Sequence, residues 1–186
     1  MENLADIFTR IGHFGSDAGE NDKGSTHSYI PTYDRLFAPY RKNGSILEIG
    51  LATGKSLDLW GQYFGPESTI VGVDISVVFD TSRFDKRFTV IEADATSTKL
   101  VSLLKSHGHA AFDIIIDDGS HMEQDQETTF RLLSPLMKSG GLYIIEDIIS
   151  PDSAIPRLSA LRQGCEVIDL RGVKGRFDDA LIIHHF

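Results

Sequence analysis

Short apolar runs alternate with segments of helical spacing from Ser45 onward, and this alternation limits the fold more than any other feature. Residues 46–50, 69–74, 88–92, 113–117 and 142–145 are dominated by Ile, Val and Leu and read as strands. Residues 54–64, 99–107, 123–137 and 154–162 read as helices, the first carrying Leu57, Leu59, Trp60 and Phe64. Two last strands, 166–170 and 180–184, are joined by the Gly-containing segment 171–178, short enough for an antiparallel hairpin. Repeated βαβ units imply a mostly parallel sheet, helices on both faces and right-handed crossovers. The expectation is a doubly wound, Rossmann-like α/β fold with seven strands, the last antiparallel.

Ahead of this core, residues 2–11 place Leu4, Ile7, Phe8 and Ile11 at helical spacing. Residues 12–26 are polar and Gly-rich and read as a loop or lid. Pro31 is placed to open a second helix carrying Tyr33, Leu36, Phe37 and Tyr40, which Pro39 and Asn43-Gly44 end. A chain of 186 residues fits one domain, with 1–44 as N-terminal helices and lid and 45–186 as the core.

The net charge of −9 would on average repel a nucleic-acid backbone. Cys165 is the only cysteine, so no internal disulfide forms, and it reads as a small buried hydrophobe. No apolar run reaches the roughly 18 residues of a membrane span, and the opening MENLADIFTR lacks a signal-peptide core. The expectation is a cytoplasmic protein with neither membrane nor nucleic acid as partner.

Strand one runs into Gly50-Leu51-Ala52-Thr53-Gly54-Lys55-Ser56, a glycine turn before a helix. A P-loop needs four residues between its Gly and Gly-Lys-Ser; only Leu51, Ala52 and Thr53 intervene. The GxGxxG fingerprint is met only at Gly50, since Ala52 and Lys55 take its other positions. Adenosylmethionine binding remains, with an acid, Glu48, just before the turn. Asp74 closes strand two, placed for ribose hydroxyls, and Asp94 follows strand three, placed for an adenine amino group. Ile75 and Ala95, next in the chain, and Ser56 join the candidate cofactor set.

Two strands end in paired carboxylates: FDIIIDDGSH at 112–121 and LYIIED at 142–147. Parallel strands converge at their carboxyl ends, so Asp117, Asp118, His121, Glu146 and Asp147 gather at one crevice. Such a concentration of negative charge is costly unless a cation neutralises it. Asp117 and Asp118, as neighbours on a strand, face opposite sides. Taken alone, DGSH would equally serve as a helix cap. His184 and His185 read as sheet-edge or surface residues.

With these motifs in place, the chain resembles class I adenosylmethionine-dependent methyltransferases from about Ser45 to the C-terminus. IDDGSH, GGLYIIED and the N-terminal DKGSTHSY resemble, more narrowly, magnesium-dependent O-methyltransferases acting on sugar hydroxyls of macrolide-type antibiotics. The resemblance implies Asp118, Glu146 and Asp147 as metal ligands and His121 as general base. It places Asp117 at the methionine end of the cofactor, and Lys23, His27 and Tyr29 on a segment folded over it. An oxygen-rich set selects a hard cation, magnesium first, manganese or calcium after it. Two acceptor oxygens on one octahedral ion would suit a vicinal diol. An imidazole of pKa about 6.5 cannot deprotonate a free alcohol, but a metal-bound one is far more acidic. The implied function is transfer of a methyl group to a hydroxyl of a small molecule, a sugar or vicinal diol of a glycosylated natural product. A non-catalytic adenosylmethionine-binding subunit and a P-loop-like phosphotransferase are the alternatives. The short loops suit either a small acceptor in an open site or a pocket completed by a second subunit, the latter implying a homo-oligomer.

Overall fold

A computed structural model of the chain describes residues 2–12 and 21–186. Three helices lead: α1 (Leu4–Gly12), α2 (Asp22–Ser25) and α3 (Ile30–Phe37). The core follows as β1 (Ser45–Ile49), α4 (Lys55–Tyr63), β2 (Thr69–Asp74), β3 (Phe88–Glu92), α5 (Lys99–Ser106), β4 (Phe112–Asp117) and α6 (Glu123–Leu133). It closes with β5 (Met137–Ile145), α7 (Pro151–Ser159), β6 (Cys165–Asp169), α8 (Arg171–Lys174) and β7 (Ala180–His185).

The seven strands lie in the order β3-β2-β1-β4-β5-β7-β6, parallel except for β7, which runs antiparallel to both β5 and β6. The expected doubly wound sheet is therefore present. Register at the carboxyl edge positions the site: Ile49 pairs with Val73 and Asp117, and Asp117 pairs in turn with Ile145.

Although the β4 run FDIIID is almost uniformly buried, the pleat sorts it by face. Ile114 and Ile116 join a core with Leu4, Tyr33, Phe37 and Trp60 under the N-terminal helices. Ile115 joins the opposite core, with Leu104, Phe130 and Leu158 from α5, α6 and α7. The same parity sends Glu48 and Ile46 of β1 toward the N-terminal layer, and Asp117 toward the other face.

Several expectations need correction. The loop expected at 12–26 includes helix α2, started by the Asn21 side chain accepting from the Lys23 amide; residues 13–20 lie outside the described residues. The long helix expected to reach Met137 stops at Leu133, because Pro135 sits in a 3-10 turn, Ser134–Leu136. Met137 instead begins β5, which is longer than its apolar half suggested. The loop expected at 171–178 contains α8. Cys165 is half-buried, at the start of β6. Among the described residues no helix is long and apolar enough to cross a membrane.

His184 is not at a sheet edge or surface: β7 is an interior strand, and His184 is fully buried with its ring 4.5 Å from that of Phe130. His185 does reach solvent. Burial pushes the His184 imidazole down to about 4. It is thus neutral in the folded protein, whereas the unfolded chain takes up a proton below about pH 6.5. This contribution to stability is whole above that pH and is lost as pH falls toward 4. His184→Leu should therefore lose less stability between pH 7 and 5 than the wild type, read from urea midpoints.

Candidate active site

Gly50 makes the turn after β1 with φ 85°, and a Cβ there would lie 1.8 Å from the Asp118 carbonyl oxygen. Only glycine lets the β1 and β4 ends approach this closely. Asp74 braces the turn, accepting from the Leu51 and Ala52 amides at 2.7 and 3.1 Å and from the Ser76 amide at 2.9 Å. A cavity of about 360 Å³ opens beside it, lined by Gly50, Asp74, Ile75, Asp94, Ala95 and Asp117 among others. A second of about 240 Å³ shares Gly50, Asp74 and Gly119 with it and is lined also by Asn21, Ser56, Asp118 and His121. Seven of the candidate cofactor residues therefore face one continuous crevice across β1, β2 and β3. Burial pushes Asp117 up to about 7, opposed by the Tyr143 hydroxyl donating at 3.3 Å.

Lys23, Tyr29 and Glu48 line neither cavity; the structure places them behind the carboxylates. The Lys23 ammonium is buried and donates to Asp118 Oδ2 at 2.7 Å and to both Glu146 oxygens at 2.8 and 2.9 Å. Glu48 Oε1 lies 3.2 Å from the same nitrogen, while its Oε2 accepts from Ser56 Oγ at 2.7 Å and Trp60 Nε1 at 3.0 Å. The Tyr33 hydroxyl donates to Glu146 Oε1 at 2.5 Å, and the Tyr29 hydroxyl to Asp147 Oδ1 at 2.6 Å. Burial opposes the Lys23 charge, but Asp118, Glu146 and Glu48 outweigh it and hold the ammonium well above the usual lysine range. Burial pushes Glu146 up to about 8, and burial together with Glu146 pushes Asp118 well up. Burial raises Glu48 as well, so all three carboxyl groups are pushed toward their neutral forms and the Lys23 ammonium opposes that shift.

Ligand atoms of Asp118, His121 and Asp147 all lie within 4.8 Å of one another, as do those of Asp22, His27 and Asp147. The Asp118 and Asp147 carboxylates, hard oxygen donors at this separation, fit a divalent cation, with the His121 imidazole beside it. Glu146 falls in neither grouping, and Lys23 and Tyr33 engage its carboxylate. Backbone strain concentrates here as well. Ala52, His121 and Asp147, at φ 46°, 58° and 52°, are the non-glycine residues with positive φ among those described. All three follow the carboxyl ends of β1, β4 or β5, and such strain is characteristic of functional sites.

Sequence reasoning missed Tyr33 as a partner of the carboxylates, and placed Lys23 over the cofactor instead of among them. The DKGSTHSY segment holds Lys23 but ends before Tyr33, and the partners of both are distant in the chain.

A family model described as a methyltransferase domain matches residues 47–148. The chain is 34% identical over 175 residues to L-olivosyl-oleandolide 3-O-methyltransferase of Streptomyces antibioticus, covering 86% of this chain and 43% of that protein. It is 37% identical over 134 residues to mycinamicin VI 2''-O-methyltransferase of Micromonospora griseorubida, covering 67% of this chain and 32% of that protein. Among solved structures it resembles the MycE methyltransferase from the mycinamycin biosynthetic pathway, in complex with Mg and SAH. That likeness has a TM-score of 0.68 at 30% identity, over 84% of this chain and 39% of that one. The chain spans less than half the length of these relatives. With the matched segment running from β1 to just past the Glu146-Asp147 pair, the chain belongs to the methyltransferase-domain family.

Proposed function

We propose that the protein transfers a methyl group from S-adenosylmethionine to a hydroxyl of a small glycosylated molecule, assisted by a divalent cation, magnesium first. The observation that carries this reading is the meeting of a nucleoside-sized crevice, acidic at Asp74 and Asp94, with the Asp118–His121–Asp147 grouping. The relatives whose names specify sugar-bearing substrates support the acceptor class.

In this reading Asp74 and Asp94 hold the ribose and adenine, Asp117 faces the methionine end, and Gly50 admits the ligand against the backbone. Asp118, Glu146 and Asp147 would hold the cation. When bound, the donor supplies an electrophilic methyl group and the cation makes the acceptor hydroxyl more acidic. His121, on the wall of the second cavity, accepts the proton that the hydroxyl loses. Tyr29 fixes the Asp147 carboxylate through its 2.6 Å hydrogen bond, and such outer partners set ligand orientation.

The test is turnover: purified protein with adenosylmethionine, magnesium and a panel of glycosides bearing vicinal hydroxyls. Release of adenosylhomocysteine with a methylated glycoside, stopped by chelator, is the expected result. Activity unchanged in chelator would remove the metal from the account. Calorimetric binding of ATP without binding of adenosylmethionine would replace it by a phosphotransferase.

A further inference from the structure

We propose that Lys23 is a movable internal counter-ion that exchanges with the divalent cation on Asp118 and Glu146, and that Glu48 is its seat while the metal is bound. The inference rests on the metal site of the proposed function and concerns how that site is filled.

The geometry has three parts. First, the Lys23 ammonium bonds the oxygens that a cation held by Asp118 and Glu146 would need, at 2.7, 2.8 and 2.9 Å. A divalent ion and an ammonium repel, and neither can share those lone pairs at full strength. Second, Glu48 offers the ammonium another place. Its Oε2 is held by Ser56 and Trp60, while Oε1 is buried with no hydrogen-bond donor yet lies 3.2 Å from Lys23 Nζ. A small rotation of the lysine side chain would convert this ion pair into a hydrogen bond while releasing the other two carboxylates. Third, Lys23 reaches this point from α2, whose N-cap residue Asn21 also bonds the Lys55 carbonyl at 3.3 Å and lines the second cavity. Filling the metal site is thereby tied to the segment that walls the crevice.

An internal cation of this kind keeps Asp118 and Glu146 from standing as unpaired buried charges before metal arrives, at the expense of metal affinity. Its removal should therefore tighten metal binding, whereas a lysine that only organises the ligands would weaken binding when removed.

Calorimetric titration of magnesium alone into wild type, Lys23→Met and Glu48→Gln separates these. We expect Lys23→Met to bind magnesium at least about tenfold more tightly, and Glu48→Gln to bind it more weakly than wild type. For a readout independent of variant folding, lysine-selective NMR of the wild type should show Nζ coupled through hydrogen bonds to the Asp118 and Glu146 carboxylate carbons. Magnesium should abolish those couplings. Magnesium binding that Lys23→Met leaves unchanged or weakens, or couplings that persist at saturating magnesium, would overturn this inference alone. No magnesium binding to any of the three proteins would remove the metal site and this inference with it.

Discussion

His121→Ala is expected to lower kcat by about 10²–10⁴-fold, the usual range for a lost general base, while adenosylmethionine affinity stays within about twofold. That loss corresponds to about 2.7–5.4 kcal/mol of transition-state stabilisation. The two parts separate because the groups assigned to the adenosine, Asp74 and Asp94, line the larger cavity, whereas His121 lines only the adjoining one. Fold stability should be preserved. His121 is half-exposed, and its φ of 58° already strains any residue with a Cβ, so alanine inherits the strain without adding to it. Single-turnover rates with calorimetry of the donor check both halves. A variant with full kcat would deny His121 the proton, and one that lost donor affinity in parallel would move it to the cofactor.

Trp60→Ala should be the most destabilising single change in the N-terminal layer, by about 3–5 kcal/mol, the range for emptying a buried large aromatic site. Its ring is fully buried and sits edge-on to Tyr33 and Phe37 at 5.9 and 5.5 Å. Its Nε1 also donates to Glu48, so truncation leaves a buried carboxylate short of a donor. For a chain of this size the melting temperature should fall by roughly 6–20 °C. Trp60→Phe, which keeps most of the ring but not the donor, should lose much less. Because Glu48 stands behind Lys23, Trp60→Ala should also disturb the carboxylate cluster. Equal melting temperatures for Trp60→Ala and wild type would show that α4 is not anchored as described.

The sheet was legible because each strand carries its own local signal: an Ile- and Val-rich run with a glycine or acid at its end. The runs at 69–74 and 88–92 coincide with β2 and β3. β5 was cut short in the reading because Lys138, Ser139, Gly140 and Gly141 look like a loop. Its first half pairs through an irregular register, Phe112 opposite Met137 and then Ile114 opposite Leu142, which no sequence period encodes. The acidic strand ends were legible for the same local reason as the strands. Lys23 among the carboxylates was not, since its partners Asp118 and Glu146 lie 95 and 123 residues away. His184 misled because a polar residue near a chain end suggests exposure, whereas β7 inserts between β5 and β6.

In the proposed function, the acidic ends of β4 and β5 gather a divalent ion beside a sulfonium donor bound over β1, β2 and β3. That arrangement is tested most directly by a crystal structure grown with adenosylhomocysteine and manganese, using anomalous scattering to locate the metal. One strong peak within bonding distance of the Asp118 and Asp147 carboxylates is expected, with the adenosine against Asp74 and Asp94. Manganese absent from that position while adenosylhomocysteine fills the crevice, or adenosylhomocysteine bound elsewhere, would contradict it.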